Sequence, residues 1–189
     1  MPRDDPALYE ALRRLTTALE RHQTQYAIIG GVATIAYLPA RLTDDVDVLA
    51  VIPQMTLPGL LDDLAARGFT VQRDSAIREW VQHRMTSFRF GAIVIDCMQP
   101  VIPLYGEVLK RATHFDLRGQ RVRLASPEGL ILTKLLADRP QDWEDIEALI
   151  TILPGRLDLG HMESQWTTVA DTGDPRWQRF QRLLASPAE

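Results

Sequence analysis

The amino-acid sequence predicts an α+β (mixed α/β) fold in which a mixed sheet is flanked by helices. Amphipathic segments alternate with short apolar runs, in the order helix, strand, helix, strand, helix, strands, helices. The chain has 189 residues, of which 46% are hydrophobic and 24% charged, as is typical of globular proteins. These observations exclude disorder as the main state, because the apolar content is enough for a core.

Periodicity and turn residues justify each element in turn. In the first half of the chain, the predicted elements are a helix over 5–22 with leucines every three or four residues, a strand over 26–29 that stops at Gly30-Gly31, a helix over 32–38 closed by Pro39, a strand over 46–52 and a helix over 57–67. Strands over 84–90 and 92–98, a helix over 102–112 and a hairpin over 115–124 follow. The last two predicted elements are a helix from the Ser126-Pro127 cap to about residue 138 and a helix from about residue 142 to Pro154. We expect a core over 1–125 and a helical C-terminal part over 126–189 that packs on it.

Composition narrows the class of protein. No apolar run approaches the roughly 20 residues of a membrane span, and no apolar stretch follows a basic start as in a secretory signal. A single cysteine, Cys97, fits a reducing compartment, so we expect a cytoplasmic protein with no membrane partner. The formal net charge of −4 disfavours an RNA-binding regulator.

An Asp-x-Asp pair is the most informative local pattern. Asp45 and Asp47 are two residues apart at the start of a predicted strand, so both side chains point to one face. Two adjacent carboxylates repel each other unless a cation lies between them, and Mg²⁺ is bound by such oxygen pairs. The alternative is a solvated loop after a proline-containing turn.

Asp96 follows an apolar run that predicts a buried strand. A buried carboxylate needs a metal or a hydrogen-bonding partner. If this strand lies beside the strand of Asp45 and Asp47, three carboxylates converge and can hold the two ions that act in phosphoryl transfer. The alternative is an exposed strand end.

Two further patterns involve phosphate chemistry. Gly30-Gly31 opens a helix, and unobstructed backbone N–H groups at a helix start suit a polyphosphate, although a simple strand-to-helix turn would look the same. Lys134, one of only two lysines, interrupts an apolar helix, where it could meet a phosphate, extend to solvent or pair with Asp138. Helix capping adequately explains Asp142 and is the stronger explanation for Asp145.

Taken together, these residues resemble the nucleotidyltransferase (DNA polymerase β-like) superfamily. The resemblance lies in Gly30-Gly31, the pattern Arg41-x-Thr43-x-Asp45-x-Asp47 and the later Asp96. The segment from Lys134 through Arg139 and Asp142 to Asp145 is similar to the minimal bacterial branch that includes AbiEii-like abortive-infection toxins. The resemblance spans roughly residues 25–153.

The resemblance implies a nucleotidyltransferase-fold sheet with two Mg²⁺ ions and a nucleoside triphosphate on one face. Asp45, Asp47 and Asp96 would hold the metals, and Asp96 would help activate the acceptor hydroxyl. The remaining implied roles are triphosphate contacts by Gly30 and Gly31, phosphate binding by the catalytic Lys134, orientation of that lysine or of the acceptor by Asp142, and bracing of the metal loop by Arg41 and Thr43. The sequence has Gly-Gly where many members have Gly-Ser, and nothing after residue 154 matches.

The sequence therefore predicts a cytoplasmic, Mg²⁺-dependent enzyme that moves a nucleoside monophosphate from an NTP to a hydroxyl acceptor. The acceptor stays open between RNA such as tRNA, a protein and a small molecule, and a toxin–antitoxin system with a cognate antitoxin would fit. The alternative is a catalytically weak nucleotide-binding or interaction protein of the same fold. An intact aspartate triad favours the enzyme, because a disused site has no reason to keep three repelling carboxylates.

Overall fold

The computed structural model describes residues 6–38 and 43–185. Within them, the strands are β1 (Gln25–Ile29), β2 (Asp45–Val51), β3 (Met85–Phe90), β4 (Ile93–Met98), β5 (Thr113–Leu117) and β6 (Gln120–Leu124). The helices are α1 (Pro6–Arg21), α2 (Gly30–Tyr37), α3 (Leu57–Ala66), α4 (Arg73–His83), α5 (Pro103–Arg111), α6 (Pro127–Ala137), α7 (Pro140–Ile152), α8 (Leu159–Trp166) and α9 (Pro175–Ala185).

The strands form one mixed sheet in the order β3-β4-β2-β1-β6-β5. The pairs β2–β4 and β1–β6 are parallel, whereas β1–β2, β3–β4 and β5–β6 are antiparallel. Hairpins account for β3–β4 and β5–β6, and helices α3 and α4 occupy the crossover between β2 and β3. The predicted mixed α/β class is confirmed.

Each face of the sheet carries its own apolar core. Along β1, Tyr26 and Ile28 pack with α1, α3 and α4 on what we call the first face, whereas Ala27 and Ile29 pack with α5 to α9 on the second face. This alternation follows from the two-residue period of a strand. The second face is the one that carries the candidate site.

Most element positions agree with the sequence predictions, and the differences have local causes. The Ser126 hydroxyl accepts a hydrogen bond from the Gly129 N–H and begins α6, as its sequence indicates. Helix α4 was not predicted, because it is largely polar and buries only Ala76 and Trp80. Helix α7 begins at Pro140, slightly earlier than predicted. No helix of the described ranges is both long enough and apolar enough to cross a bilayer.

Candidate active site

Three aspartates project from neighbouring strands onto the second face. Asp45 and Asp47 alternate along β2 with Val46, which packs in the core of the first face. In the parallel β2–β4 ladder, Asp47 is in register with Asp96, so the two residues lie side by side. The structure thus places Asp96 beside the Asp-x-Asp pair, half-buried within β4, and the alternative of an exposed strand end is wrong.

The carboxylates sit in a setting with excess negative charge. Burial, together with the charges of Asp45 and Asp96, raises the pKa of Asp47 to about 6. The Thr43 hydroxyl donates a hydrogen bond to Asp45, and the Ser87 hydroxyl on β3 donates one to Asp96. Nothing in the sequence had indicated Ser87, because its position opposite Asp96 depends on the register of β3 against β4.

The glycine pair brings a helix start against these side chains. Gly30 has a left-handed φ of +62°, and a Cβ atom at this residue would collide with the Asp47 carboxylate. A Cβ atom at Gly31 would likewise collide with the Thr43 side chain. The N-terminus of α2, whose first backbone N–H groups have no partner within the helix, is therefore adjacent to Asp47 because both residues lack a side chain.

A polar cleft of about 500 Å³ opens beside Asp45 and Asp47. Its lining residues come from the α2 start, β2, the β3–β4 hairpin and the α6–α7 junction: Gly31, Thr43, Asp44, Asp45, Asp47, Arg89, Ala92, Val94, Lys134, Arg139 and Gln141. The cleft brings together most of the site residues that the sequence had predicted. Asp96 lies next to Asp47 but does not line the cleft, and Arg41 falls outside the described residues.

Lys134 reaches the cleft wall but forms ion pairs with two buried carboxylates. It is 4% exposed, and its Nζ donates hydrogen bonds to Asp142 Oδ1 at 3.1 Å and Asp145 Oδ2 at 2.6 Å. The alternatives of extension to solvent and of pairing with Asp138 are wrong, since Asp138 instead accepts from the Trp143 indole N–H. Capping is also wrong as the explanation of Asp145, which lies beyond the first turn of α7 and accepts a hydrogen bond from Lys134 on the preceding helix, α6.

Arg139 joins this cluster from the solvent side. Its Nε and Nη2 donate to Asp142 Oδ2 at 2.7 Å and Asp142 Oδ1 at 3.2 Å. Burial pushes the pKa of Asp142 upward, but the bonds from Arg139 and the charge of Lys134 outweigh it, so the pKa falls below its ordinary value. The sequence had placed Arg139 within a motif without giving it a role, and it had not indicated Arg89 or Gln141 at all.

The donor set suits a hard divalent cation. Carboxylate oxygens are the ligands that Mg²⁺ prefers, and a cation would relieve the repulsion that raises the Asp47 pKa. Over the part of the chain that the structure describes, no three histidine, cysteine or acidic side chains are gathered closely enough to form a preorganised metal site. Asp45 and Asp47 are thus the residues best placed to hold an ion, with Asp96 as their neighbour.

Comparison with solved structures supports the fold. The chain resembles the solution structure of the antibiotic-resistance factor ANT(2″)-Ia (18% identity, TM-score 0.52, 96% of this chain and 91% of that one). It also resembles a crystal structure of ANT(2″)-Ia in complex with adenylyl-2″-tobramycin (16% identity, TM-score 0.55, 84% and 97%). An antigenic nucleotidyltransferase-like protein from Paracoccidioides brasiliensis is similar too (19% identity, TM-score 0.50, 98% and 94%).

Comparison of the sequence with known proteins identifies a family. No curated protein sequence is significantly similar to the chain. Residues 7–181, however, match the model of one protein family, "Nucleotidyltransferase of unknown function (DUF6036)".

Proposed function

The chain belongs to the nucleotidyltransferase family DUF6036, and on that premise we propose that it transfers a nucleoside monophosphate from an NTP to a hydroxyl acceptor in a Mg²⁺-dependent reaction. Family membership makes it a nucleotidyltransferase enzyme. The metal, the residue roles and the acceptor are the parts that we add.

One observation carries the proposal: the start of α2 lies directly against Asp47. The glycine at residue 30 leaves no room for a side chain between the helix N-terminus and the carboxylate. A helix N-terminus favours anions, and paired aspartates favour a divalent cation. A cation-bound triphosphate combines both charges, so it matches this juxtaposition better than either an anion or a cation alone.

The reaction needs few groups from the protein. The acceptor oxygen forms a bond to the α-phosphorus, the bond from that phosphorus to the bridging oxygen breaks, and pyrophosphate leaves with the electron pair. Asp96, the neighbour of Asp47 in the β2–β4 ladder, would accept the proton of the hydroxyl. Bound Mg²⁺, held by Asp45, Asp47 and Asp96, would supply charge stabilisation for the phosphates.

The other site residues orient these parts. Thr43 donates to Asp45 and so fixes one carboxylate. Backbone N–H groups at Gly30 and Gly31 bind the triphosphate, and Lys134 contributes positive charge from the helical wall, where Asp142 holds its ammonium. Arg41, in the same motif, would brace the metal loop.

The acceptor is a hydroxyl compound, for which RNA such as tRNA, a protein side chain and a small molecule are the classes to test. ANT(2″)-Ia has been crystallised with adenylyl-2″-tobramycin, so an aminoglycoside is one small molecule to include. A toxin with a cognate antitoxin, related to the AbiEii-like branch, is the biological setting that we propose.

A labelling experiment tests this function. Purified protein, Mg²⁺ and each α-³²P-labelled NTP are incubated with RNA, with cell extract protein and with tobramycin. We expect label in one acceptor class, none with a chelator and none with Asp45→Asn. Absence of label under every condition would contradict the enzyme.

A binding experiment separates the enzyme from a catalytically weak relative. Mg²⁺ with a non-hydrolysable NTP should raise the melting temperature, because a ligand of the folded state stabilises it by mass action. Asp47→Asn should abolish the increase. An increase without label transfer would identify a nucleotide-binding protein, and a full increase in the Asp47→Asn variant would exclude Asp47 as a ligand.

A further inference from the structure

The guanidinium of Arg139 is held by a buried carboxylate and is also exposed to the cleft. It precedes α7, and its guanidinium forms two hydrogen bonds to Asp142. The side chain is nevertheless 57% exposed and lines the cleft with Asp45 and Asp47. A guanidinium has five N–H donors, so the two bonds to Asp142 leave donors for a ligand in the cleft.

Lys134, in contrast to Arg139, is buried. Its ammonium is buried between Asp142 and Asp145, which neutralise it in place. Asp142 is itself fully buried and accepts from Lys134 on one oxygen and from Arg139 on both. The order of contacts from the interior to the cleft is thus Lys134, Asp142 and Arg139.

We propose that Arg139 is the side chain on the helical wall that binds the phosphates of the nucleotide, and that Lys134, Asp142 and Asp145 position it. This inference rests on the proposed function, and it changes one part of it: Lys134 acts through Asp142 instead of touching the phosphates. Two cationic and two anionic side chains balance one another in the cluster. Arg139 is the exposed member of this cluster, and its planar guanidinium can donate two parallel hydrogen bonds to phosphate oxygens.

Among the residues that the structure describes, Arg89 is the other arginine that lines the cleft, and its contacts favour Arg139 over it. Arg89 lies on the hairpin side, where its Nη2 donates to the Ala92 carbonyl at 2.9 Å. Arg139 is held by a buried carboxylate, which lowers the cost of ordering it on a ligand.

Calorimetric titration with inorganic tripolyphosphate and Mg²⁺ tests the contact without depending on the base. Arg139→Gln should weaken binding about ten- to a hundredfold, as expected for loss of a charge-assisted hydrogen bond. The matched control is Arg13→Gln: Arg13 is 59% exposed and pairs with Glu10 three residues away, on the first face. That variant should bind as the wild type does.

The positioning role has its own readout. Asp142→Asn keeps the size of the side chain and the charge of Arg139, yet it removes the carboxylate that holds the guanidinium. We expect weaker tripolyphosphate binding by the folded variant, which a purely structural role would not produce. If this variant fails to fold, Arg139→Lys leaves the buried groups intact. Compared with Arg139→Gln, it should recover only part of the tripolyphosphate affinity, since an ammonium lacks the planar set of donors with which a guanidinium binds Asp142 and phosphate together.

The outcomes separate this inference from the proposed function. Tight binding by the wild type with equal binding by Arg139→Gln would overturn the role of Arg139 and leave the function standing. No binding of tripolyphosphate or of any NTP analogue by the wild type would overturn both.

Discussion

The ammonium of Lys134 donates a 2.6 Å hydrogen bond to Asp145, and this contact joins α6 to α7 in the interior of the protein. Both residues are at most 5% exposed. Removing one partner of such a pair leaves the other charged and out of contact with water, which costs more than the pair itself contributes. Stability therefore depends on this cluster, and if Arg139 binds the phosphates as we propose, ligand binding depends on it too.

Lys134→Met should destabilise the protein strongly. The apolar stem is kept, but Asp142 and Asp145 lose the ammonium between them, so we expect a loss of about 3–5 kcal/mol in the free energy of unfolding, measured by urea denaturation. The chain supplies a control in its other lysine: Lys110 is 76% exposed and forms only a 3.4 Å ion pair with Glu107. Lys110→Met should change little, and equal midpoints for the two variants would contradict the buried pairing.

Asp47→Asn should stabilise the metal-free protein at neutral pH. The pKa of Asp47 is raised from 3.8 to about 6, so the folded state binds more protons than the unfolded state between these values. Stability therefore falls as the pH rises through this window, and the cost of the charged carboxylate is complete above it. The substitution removes that cost, which is about 1–3 kcal/mol for such a shift.

The measurement is thermal unfolding in EDTA at pH 4 and at pH 7.5. The Asn variant should melt higher at pH 7.5, and most of the difference should vanish at pH 4, where the wild-type carboxyl is also largely neutral. Asp62→Asn, an exposed aspartate on α3, controls for a general effect of charge. A pH-independent difference would exclude Asp47 as the source.

Gly30→Ala should impair both stability and nucleotide binding. The backbone at residue 30 has φ +62°, and the new methyl group would meet the Asp47 carboxylate. We expect a loss of about 1–3 kcal/mol from the strained backbone alone. Melting temperatures with and without Mg²⁺ and an NTP analogue measure both effects. At Gly106 in α5, where no atom lies within 4 Å of an added Cβ, alanine should instead stabilise slightly.

Ser126→Ala should weaken the helix that carries Lys134. The Ser126 hydroxyl accepts the Gly129 N–H at 3.2 Å and caps α6. Loss of such a cap typically costs about 1 kcal/mol, which urea denaturation can measure. Ser164→Ala, at an exposed position of α8, should leave the midpoint nearly unchanged, and a similar loss in both variants would contradict the cap.

The sequence predicted those features whose causes are local. The turn at Gly30-Gly31, the Ser126 cap and the two-residue spacing of Asp45 and Asp47 each follow from neighbouring residues, and the structure contains all three. The register of Asp47 with Asp96 was predicted only conditionally, because strand order is a long-range property.

Long-range partners account for the misses. Asp145 resembles an ordinary helix-cap residue until α6 is packed against α7, and Ser87 has no evident role until β3 pairs with β4. The division at residue 125, the affinity with AbiEii-like toxins and the cytoplasmic location stay predictions.

The two cores of the sheet limit where the chain can be shortened. Ala27, Ile29 and Leu49 belong to the N-terminal 125 residues, yet they pack under helices that follow residue 126. A fragment that ends at residue 125 would expose this apolar face, and one that ends between α6 and α7 would also leave the Lys134 ammonium without its two acidic partners. We therefore expect the smallest autonomously folding unit to extend at least through α7.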